Sequence, residues 1–262
     1  MTASDKIHEV LTKYWGYSSF REKQEEIILS AMEGKDTLAL LPTGGGKSIC
    51  FQVPALAQEG ICIVVSPLIA LMQDQVDNLQ KNEIKAISIT SALSKREIDI
   101  RLDNAVYGDY KFLYVSPERL ETELFQERLK KMKVNLIAVD EAHCISQWGY
   151  DFRPSYLKIA QLREIIPEVP ILALTATATP KVVDDIQEKL HFKQKHCIQK
   201  SFKRDNLAYV VLQEESQFQR MLKVIRGVGG SGIVYVNRRK KTKEVAKFLL
   251  ENNISADYYP AG

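Results

Sequence analysis

Leu38-Ala39-Leu40-Leu41-Pro42-Thr43-Gly44-Gly45-Gly46-Lys47-Ser48 decides the fold of this chain. An apolar run stops at a proline, passes through three glycines, and restarts at Ile49-Cys50-Phe51 with helical character. A strand that ends in such a turn and restarts as a helix aims backbone N–H groups, and the positive end of the helix, at an anion. In that setting Thr43, Gly44, Gly45 and Gly46 form a phosphate cradle, Lys47 reaches the β- and γ-phosphates, and the Ser48 hydroxyl ligates Mg²⁺. The full G-x-x-x-x-G-K-[ST] spacing is not met, because Leu41 occupies the first glycine position. A glycine-rich helix start with a solvated lysine is the competing reading.

Outward from this turn, short β-branched runs at 37–41, 61–65, 86–89, 112–115, 136–139 and 171–174 alternate with amphipathic stretches such as 69–79 and 182–190. Two more helical stretches, 6–14 and 22–33, precede the first run. Strands apolar on both faces, separated by helices, predict an α/β fold with a parallel sheet flanked by helices. A shorter series follows, with strands at 207–212, 233–236 and 256–259 and helices at 218–225 and 241–250. Residues 200–205 are the expected linker, which divides the chain into 1–205 and an incomplete 206–262.

The second acidic landmark is Val139-Asp140-Glu141-Ala142-His143, directly after a buried strand. An acid at a strand end holds Mg²⁺ in nucleotide hydrolases, and a neighbouring carboxylate orients the attacking water. Asp140 and Glu141 offer both, with Asp140 and Ser48 as the metal ligands. Two acids complementing a helix dipole are the alternative.

Composition narrows the classes. The 262 residues are 45% apolar and 26% charged, a globular balance that excludes disorder and collagen-like repeats. Net charge is +3, but 206–262 holds nine basic and five acidic residues, which leaves the 205 residues before it at −1. A near-neutral main lobe gives no general argument for nucleic acid, so any such contact must be local. Cys50, Cys62, Cys144 and Cys197 are too scattered for a C-x-x-C pair, so no zinc site is expected and the thiols read as reduced and mostly buried. There is no basic-then-apolar leader and no apolar run near the ~20 residues of a membrane span. The expectation is a soluble cytoplasmic protein, associated with the nucleoid if bacterial, with no membrane partner.

Taken together, the D-E-A-H run and T-G-G-G-K-S resemble a superfamily 2 helicase core. The stretch Asp140-Glu-Ala-His-Cys-Ile-Ser-Gln-Trp-Gly-Tyr-Asp-Phe-Arg-Pro154 narrows the resemblance to the RecQ DNA helicases. Four further motifs agree: Phe20-Arg21-Glu-Lys-Gln24, Ser66-Pro-Leu through Asp74-Gln-Val76, Tyr114-Val-Ser-Pro-Glu-Arg-Leu120, and Ala173-Leu-Thr-Ala-Thr-Ala178. The resemblance implies a RecA-like nucleotide-binding lobe followed by the start of a second RecA-like lobe. It also implies ATP and Mg²⁺ as cofactors, DNA-stimulated hydrolysis by Lys47, Asp140 and Glu141, and 3′→5′ movement in DNA recombination and repair.

The same resemblance assigns adenine recognition to Tyr17, Arg21 and Gln24; two flat groups would sandwich the purine while an amide reads its edge. Trp148, Phe152 and Arg153, in an aromatic-rich loop, would meet single-stranded DNA and DNA junctions. Core packing of Trp148 and Phe152 is the alternative, although Gly149 suggests a mobile loop. Coupling falls to His143, Gln147, Thr175 and Thr177, where the hydroxyls would bond His143 or Gln147; otherwise the two threonines are helix caps. Tyr150 and Pro260 stand where the family commonly carries His. The basic cluster from Arg238 to Lys243 either touches phosphates or is a solvated helix face. Later second-lobe motifs, including an arginine finger, are absent from these residues. The chain is therefore expected to carry the active site without unwinding duplex DNA alone. Two competitors remain: a nucleotide-regulated, non-catalytic DNA-binding fragment, and a D-E-A-H-type RNA helicase.

Overall fold

The structure is a computed structural model that describes residues 2–203 and 206–259. The chain divides into two compact units, Met1–Lys203 and Arg204–Gly262. Of the expected linker, residues 204–205 lie outside the described residues, as do 260–262 and with them the Tyr-Pro-Ala-Gly ending.

In the first unit the elements follow the chain as α1 (Ala3–Trp15), α2 (Gln24–Met32), β1 (Thr37–Leu40), α3 (Lys47–Ala57), β2 (Ile61–Val65), α4 (Ile69–Lys81), β3 (Ala86–Ile89) and α5 (Lys95–Tyr107). They continue as β4 (Phe112–Val115), α6 (Glu123–Leu129), β5 (Val134–Val139), α7 (Leu162–Ile165), β6 (Ile171–Thr175), α8 (Pro180–Lys189) and β7 (Cys197–Gln199). The seven strands form one parallel sheet in the order β3-β4-β2-β5-β6-β1-β7. Because every strand runs the same way, the turns after β1, β2, β4, β5 and β6 all emerge along one edge. That carboxyl edge is where open α/β sheets bind their ligands.

Both faces of the sheet are covered, which is why its strands lack polar alternation. Ile61, Ile63 and Val65 of β2 pack on one side with Leu102, Phe125 and Ile186 from α5, α6 and α8. Their neighbours Cys62 and Val64 pack on the other side with Ile27, Phe51 and Met72 from α2, α3 and α4. Each fully buried aliphatic side chain of this kind contributes ~1.5–3 kcal/mol relative to exposure. At the opposite, amino edge a single buried carboxylate ties three elements together. Asp36 accepts hydrogen bonds from Arg163 Nη2 at 2.6 Å, the Ile171 amide at 2.9 Å and the Lys193 amide at 2.8 Å.

Four elements of this unit, α5, α6, α7 and β7, were not anticipated, and two of them show why. α5 begins at a capping box, Ser94 with Glu97, but buries only Ile98, Leu102 and Ala105, so its apolar stripe is thin. β7 has three residues and buries only the middle one, Ile198, because it is an edge strand paired with β1 alone.

The second unit contains α9 (Gln217–Val228) and α10 (Arg239–Glu251), packed through an edge-to-face contact of Phe218 and Phe248 with centroids 4.9 Å apart. The strands expected at 207–212, 233–236 and 256–259 do not form among the described residues. The physical reason is pairing. These stretches have strand composition, but a strand exists only when its backbone pairs with a neighbouring strand, and none of them does so among the described residues. Their apolar side chains stay in solvent, Val211 at 96% and Tyr235 at 88% exposure. No helix among the described residues is long and apolar enough to cross a membrane.

Candidate nucleotide and nucleic-acid site

Strands β5, β6 and β1 are adjacent, so their carboxyl ends bring the Lys47 turn, the Asp140–Glu141 pair and Thr175 to one place. Leu41 is fully buried and its amide bonds the Thr175 carbonyl at 3.1 Å. It extends β1 into the core, which explains why the position needs no glycine. Gly46, by contrast, has φ +77°, and a Cβ there would collide with Gln24 Nε2. Only glycine lets the turn close onto its neighbour.

That neighbour is the segment expected to read adenine. Gln24 Nε2 donates to the Gly46 carbonyl at 3.1 Å, Gln24 Oε1 accepts from the Arg21 amide at 2.8 Å, and Arg21 Nη1 donates to the Gly44 carbonyl at 2.8 Å. Tyr17, Arg21 and Gln24 border a cleft of about 360 Å³ that Trp15, Gly46 and Ile49 also line, within the range of small-molecule sites. In this structure Gln24 and Arg21 hold the phosphate turn itself. Trp15 escaped the sequence reading because an aromatic ending a helix reads as core.

Asp140 is anchored by its backbone, with its amide bonded to the Val65 carbonyl at 2.9 Å and its carbonyl accepting from Tyr156 Oη at 2.9 Å. Its Oδ1 accepts from the Glu141 amide at 2.9 Å. Burial, with the Glu141 charge second, pushes the Asp140 carboxyl up to about 6, and the Lys47 charge pulls the other way. Glu141 is held at φ 47°, ψ 45°, a left-handed conformation costly for a side chain other than Gly. Its carboxyl is lowered first by hydrogen bonding to His143 and further by the charges of His143 and Lys47. A partly buried carboxylate with no ion pair among the described residues, a second beside it, and the Ser48 hydroxyl on the first turn of α3 make a hard-donor set. Such a set suits an oxygen-seeking divalent ion.

The coupling residues divide. His143 is buried; its Nδ1 lies 2.9 Å from Thr175 Oγ1 and 3.3 Å from Glu141 Oε2. Thr177 does not reach His143 but bonds Tyr150 Oη at 3.3 Å, and its amide donates to Thr175 Oγ1 at 3.2 Å. Gln147 is exposed and joins neither threonine among the described residues. The hydroxyl contacts therefore involve His143 and Tyr150.

In the loop over residues 146–153, Trp148 is 62% exposed, which removes the core-packing reading for it, while Phe152 is half-buried. Arg153 is not free: its Nε and Nη2 donate to Asp151 Oδ2 at 3.2 and 3.0 Å, and its Nη1 donates to the Pro67 carbonyl at 3.2 Å. The loop is thereby strapped to the turn after β2. Gly149 serves close approach, since a Cβ would sit 2.8 Å from the His143 carbonyl, so the glycine marks packing where mobility was expected. Tyr150 stacks on His143 with centroids 4.8 Å apart and planes at 22°. A nitrogen of His143, the Cys144 sulfur and a carboxylate oxygen of Asp151 lie within 4.8 Å of one another, a grouping invisible to motif spacing. Arg153 already donates to the same Asp151 oxygen that the Cys144 sulfur approaches, and burial pushes the Cys144 thiol up to about 12.

Comparison with known proteins fits this geometry. Residues 21–186 match the DEAD/DEAH box helicase family, and the chain belongs to that family. Within it the sequence is that of a RecQ-type helicase core. The ATP-dependent DNA helicase RecQ of Pasteurella multocida (strain Pm70) is 42% identical over 262 residues, covering 100% of this chain and 41% of that protein. The ATP-dependent DNA helicase RecQ of Bacillus subtilis (strain 168) is 44% identical over 260 residues, covering 98% of this chain and 44% of that protein. The chain thus spans about two fifths of the length of these curated relatives. Among solved structures, the DUF1998 helicase MrfA superposes with a TM-score of 0.70 at 16% identity, over 97% of this chain and 42% of that one, a likeness of fold. The first unit is accordingly a RecA-like lobe.

Proposed function

We propose that this chain is the ATP-hydrolysing core of a RecQ-type, ATP-dependent DNA helicase, with hydrolysis stimulated by single-stranded DNA and by DNA junctions. One observation carries the reading: the Lys47 turn and the Asp140–Glu141 pair share one sheet edge, and Glu141 is tied through His143 to the loop that presents Trp148. The relatives that share the sequence are named as DNA helicases, which supports DNA over RNA.

In this reading Tyr17 and Arg21 flank the base, Gln24 reads its edge, and the turn amides of Thr43 to Gly46 close on the phosphates. Lys47 neutralises charge on the β- and γ-phosphates. Ser48 and Asp140 would hold Mg²⁺, which would supply charge neutralisation at the phosphates. Glu141 orients a water in line with the γ-phosphorus and takes its proton as the new P–O bond forms and the bond to the β-phosphate oxygen breaks, giving ADP and inorganic phosphate. His143 and Thr175 fix the Glu141 carboxylate. Residues 206–262 are the start of a second lobe of the same kind, their strand-like stretches alternating with α9 and α10. A cytoplasmic location on DNA follows from the same reading.

The test compares phosphate release by the 262-residue chain with no nucleic acid, with a single-stranded DNA oligonucleotide and with its RNA counterpart. DNA-selective stimulation supports the reading. Stimulation by RNA alone favours the RNA-helicase alternative, and none by either favours a non-catalytic DNA-binding fragment.

A further inference from the structure

Lys181 stands out on the exposed edge beside the loop. It occupies the first turn of α8, after Pro180, and that turn contains no acidic residue. A cation there opposes the helix dipole, so the lysine is not placed for helix stability. Its Nζ lies 3.1 Å from the centroid of the Trp148 ring. Trp148 nevertheless keeps 62% of its surface open. An exposed ammonium with no carboxylate partner among the described residues and an open indole thus sit side by side, offering the two chemistries by which single strands are held: a stacking face and a phosphate-neutralising charge.

We propose that Trp148 and Lys181 form one nucleotide subsite, in which a base stacks on the open indole and the Lys181 ammonium pairs the adjoining phosphate. This rests on the single-stranded DNA reading above. It assigns a DNA contact to α8, outside the aromatic loop, and gives it a charge signature distinct from stacking. The neighbouring cation of the loop, Arg153, is already committed to Asp151 and Pro67, so the charge beside Trp148 must come from Lys181.

The experiment is a salt series of fluorescence anisotropy with a labelled oligo(dT), using the full chain, Lys181→Met, Lys181→Arg and Trp148→Ala. One phosphate contact on a single strand contributes ~0.7 to the slope of log K against log salt. Lys181→Met is expected to weaken binding roughly 3- to 5-fold at 0.1–0.2 M salt and to flatten the slope by ~0.7. Lys181→Arg should restore the slope. Trp148→Ala should weaken binding by about 5- to 150-fold with the slope unchanged. An unchanged slope in Lys181→Met overturns the subsite, and so does tighter binding, which would make Lys181 a cover that DNA displaces. If the parent chain binds oligo(dT) and needs Trp148, only the subsite falls; if it binds no single strand, the DNA reading falls with it.

Discussion

Glu141 Oε2 lies 3.3 Å from His143 Nδ1, and this contact holds a carboxylate carried on left-handed backbone at φ 47°. It links the end of β5 to Thr175 at the end of β6, so the Glu141 carboxylate is set by two strands rather than by a free loop. The ring of Tyr150 closes the other side of His143. A change in the aromatic loop therefore reaches Glu141 through one imidazole.

His143→Ala should lower kcat for ATP by roughly 100-fold, the scale of a small misplacement of a reacting group, while leaving the KM for ATP nearly unchanged. Steady-state phosphate release measures both. A rise in KM with kcat preserved would place His143 in nucleotide binding instead.

Asp140 gives a pH signature in Mg²⁺-free solution. Its folded carboxyl is raised to about 6 from 3.8, so its contribution to stability is full below about pH 4 and is lost as pH rises through about 6. At ~1.4 kcal/mol per pH unit, the ionised form carries up to ~3 kcal/mol of cost. Asp140→Asn should therefore raise stability by up to ~3 kcal/mol at pH 8, with the gain vanishing toward pH 4. Urea unfolding at the two pH values checks it; a gain that grows as the pH falls would contradict the burial account.

Asp36 predicts a purely structural effect. Its side chain is 1% exposed and that of Arg163 11%, so Asp36→Ala strands a nearly buried guanidinium and should cost ~3–5 kcal/mol. The urea midpoint reports this loss, and the KM for ATP of the folded fraction should hold.

Much of the first unit was legible because its signals are local. The runs at 61–65, 86–89 and 112–115 became strands with the same bounds, and the Lys47 turn and Asp140–Glu141 pair were readable from a few adjacent residues. What escaped depends on contacts distant in sequence. Asp36 meets partners 127, 135 and 157 residues away, and no pattern around it announces them. Tyr150 read only as a position where the family commonly carries His, yet its hydroxyl reaches Thr177 once β6 lies beside the loop. Arg153 read as a single-stranded DNA contact, and its tie to Pro67 was hidden because it crosses 86 residues. The stretches 207–212 and 233–236 show the converse: composition favours strand, but pairing decides.

The most direct test of the central claim is phosphate release by the 262-residue chain with and without single-stranded DNA, beside Lys47→Ala and Glu141→Gln. A site in which Lys47 neutralises phosphate charge and Glu141 takes the water's proton predicts DNA-stimulated release that both substitutions abolish. Glu141→Gln should still bind ATP, because it retains Lys47, Ser48 and Asp140. DNA-stimulated release that survives either substitution would contradict the account.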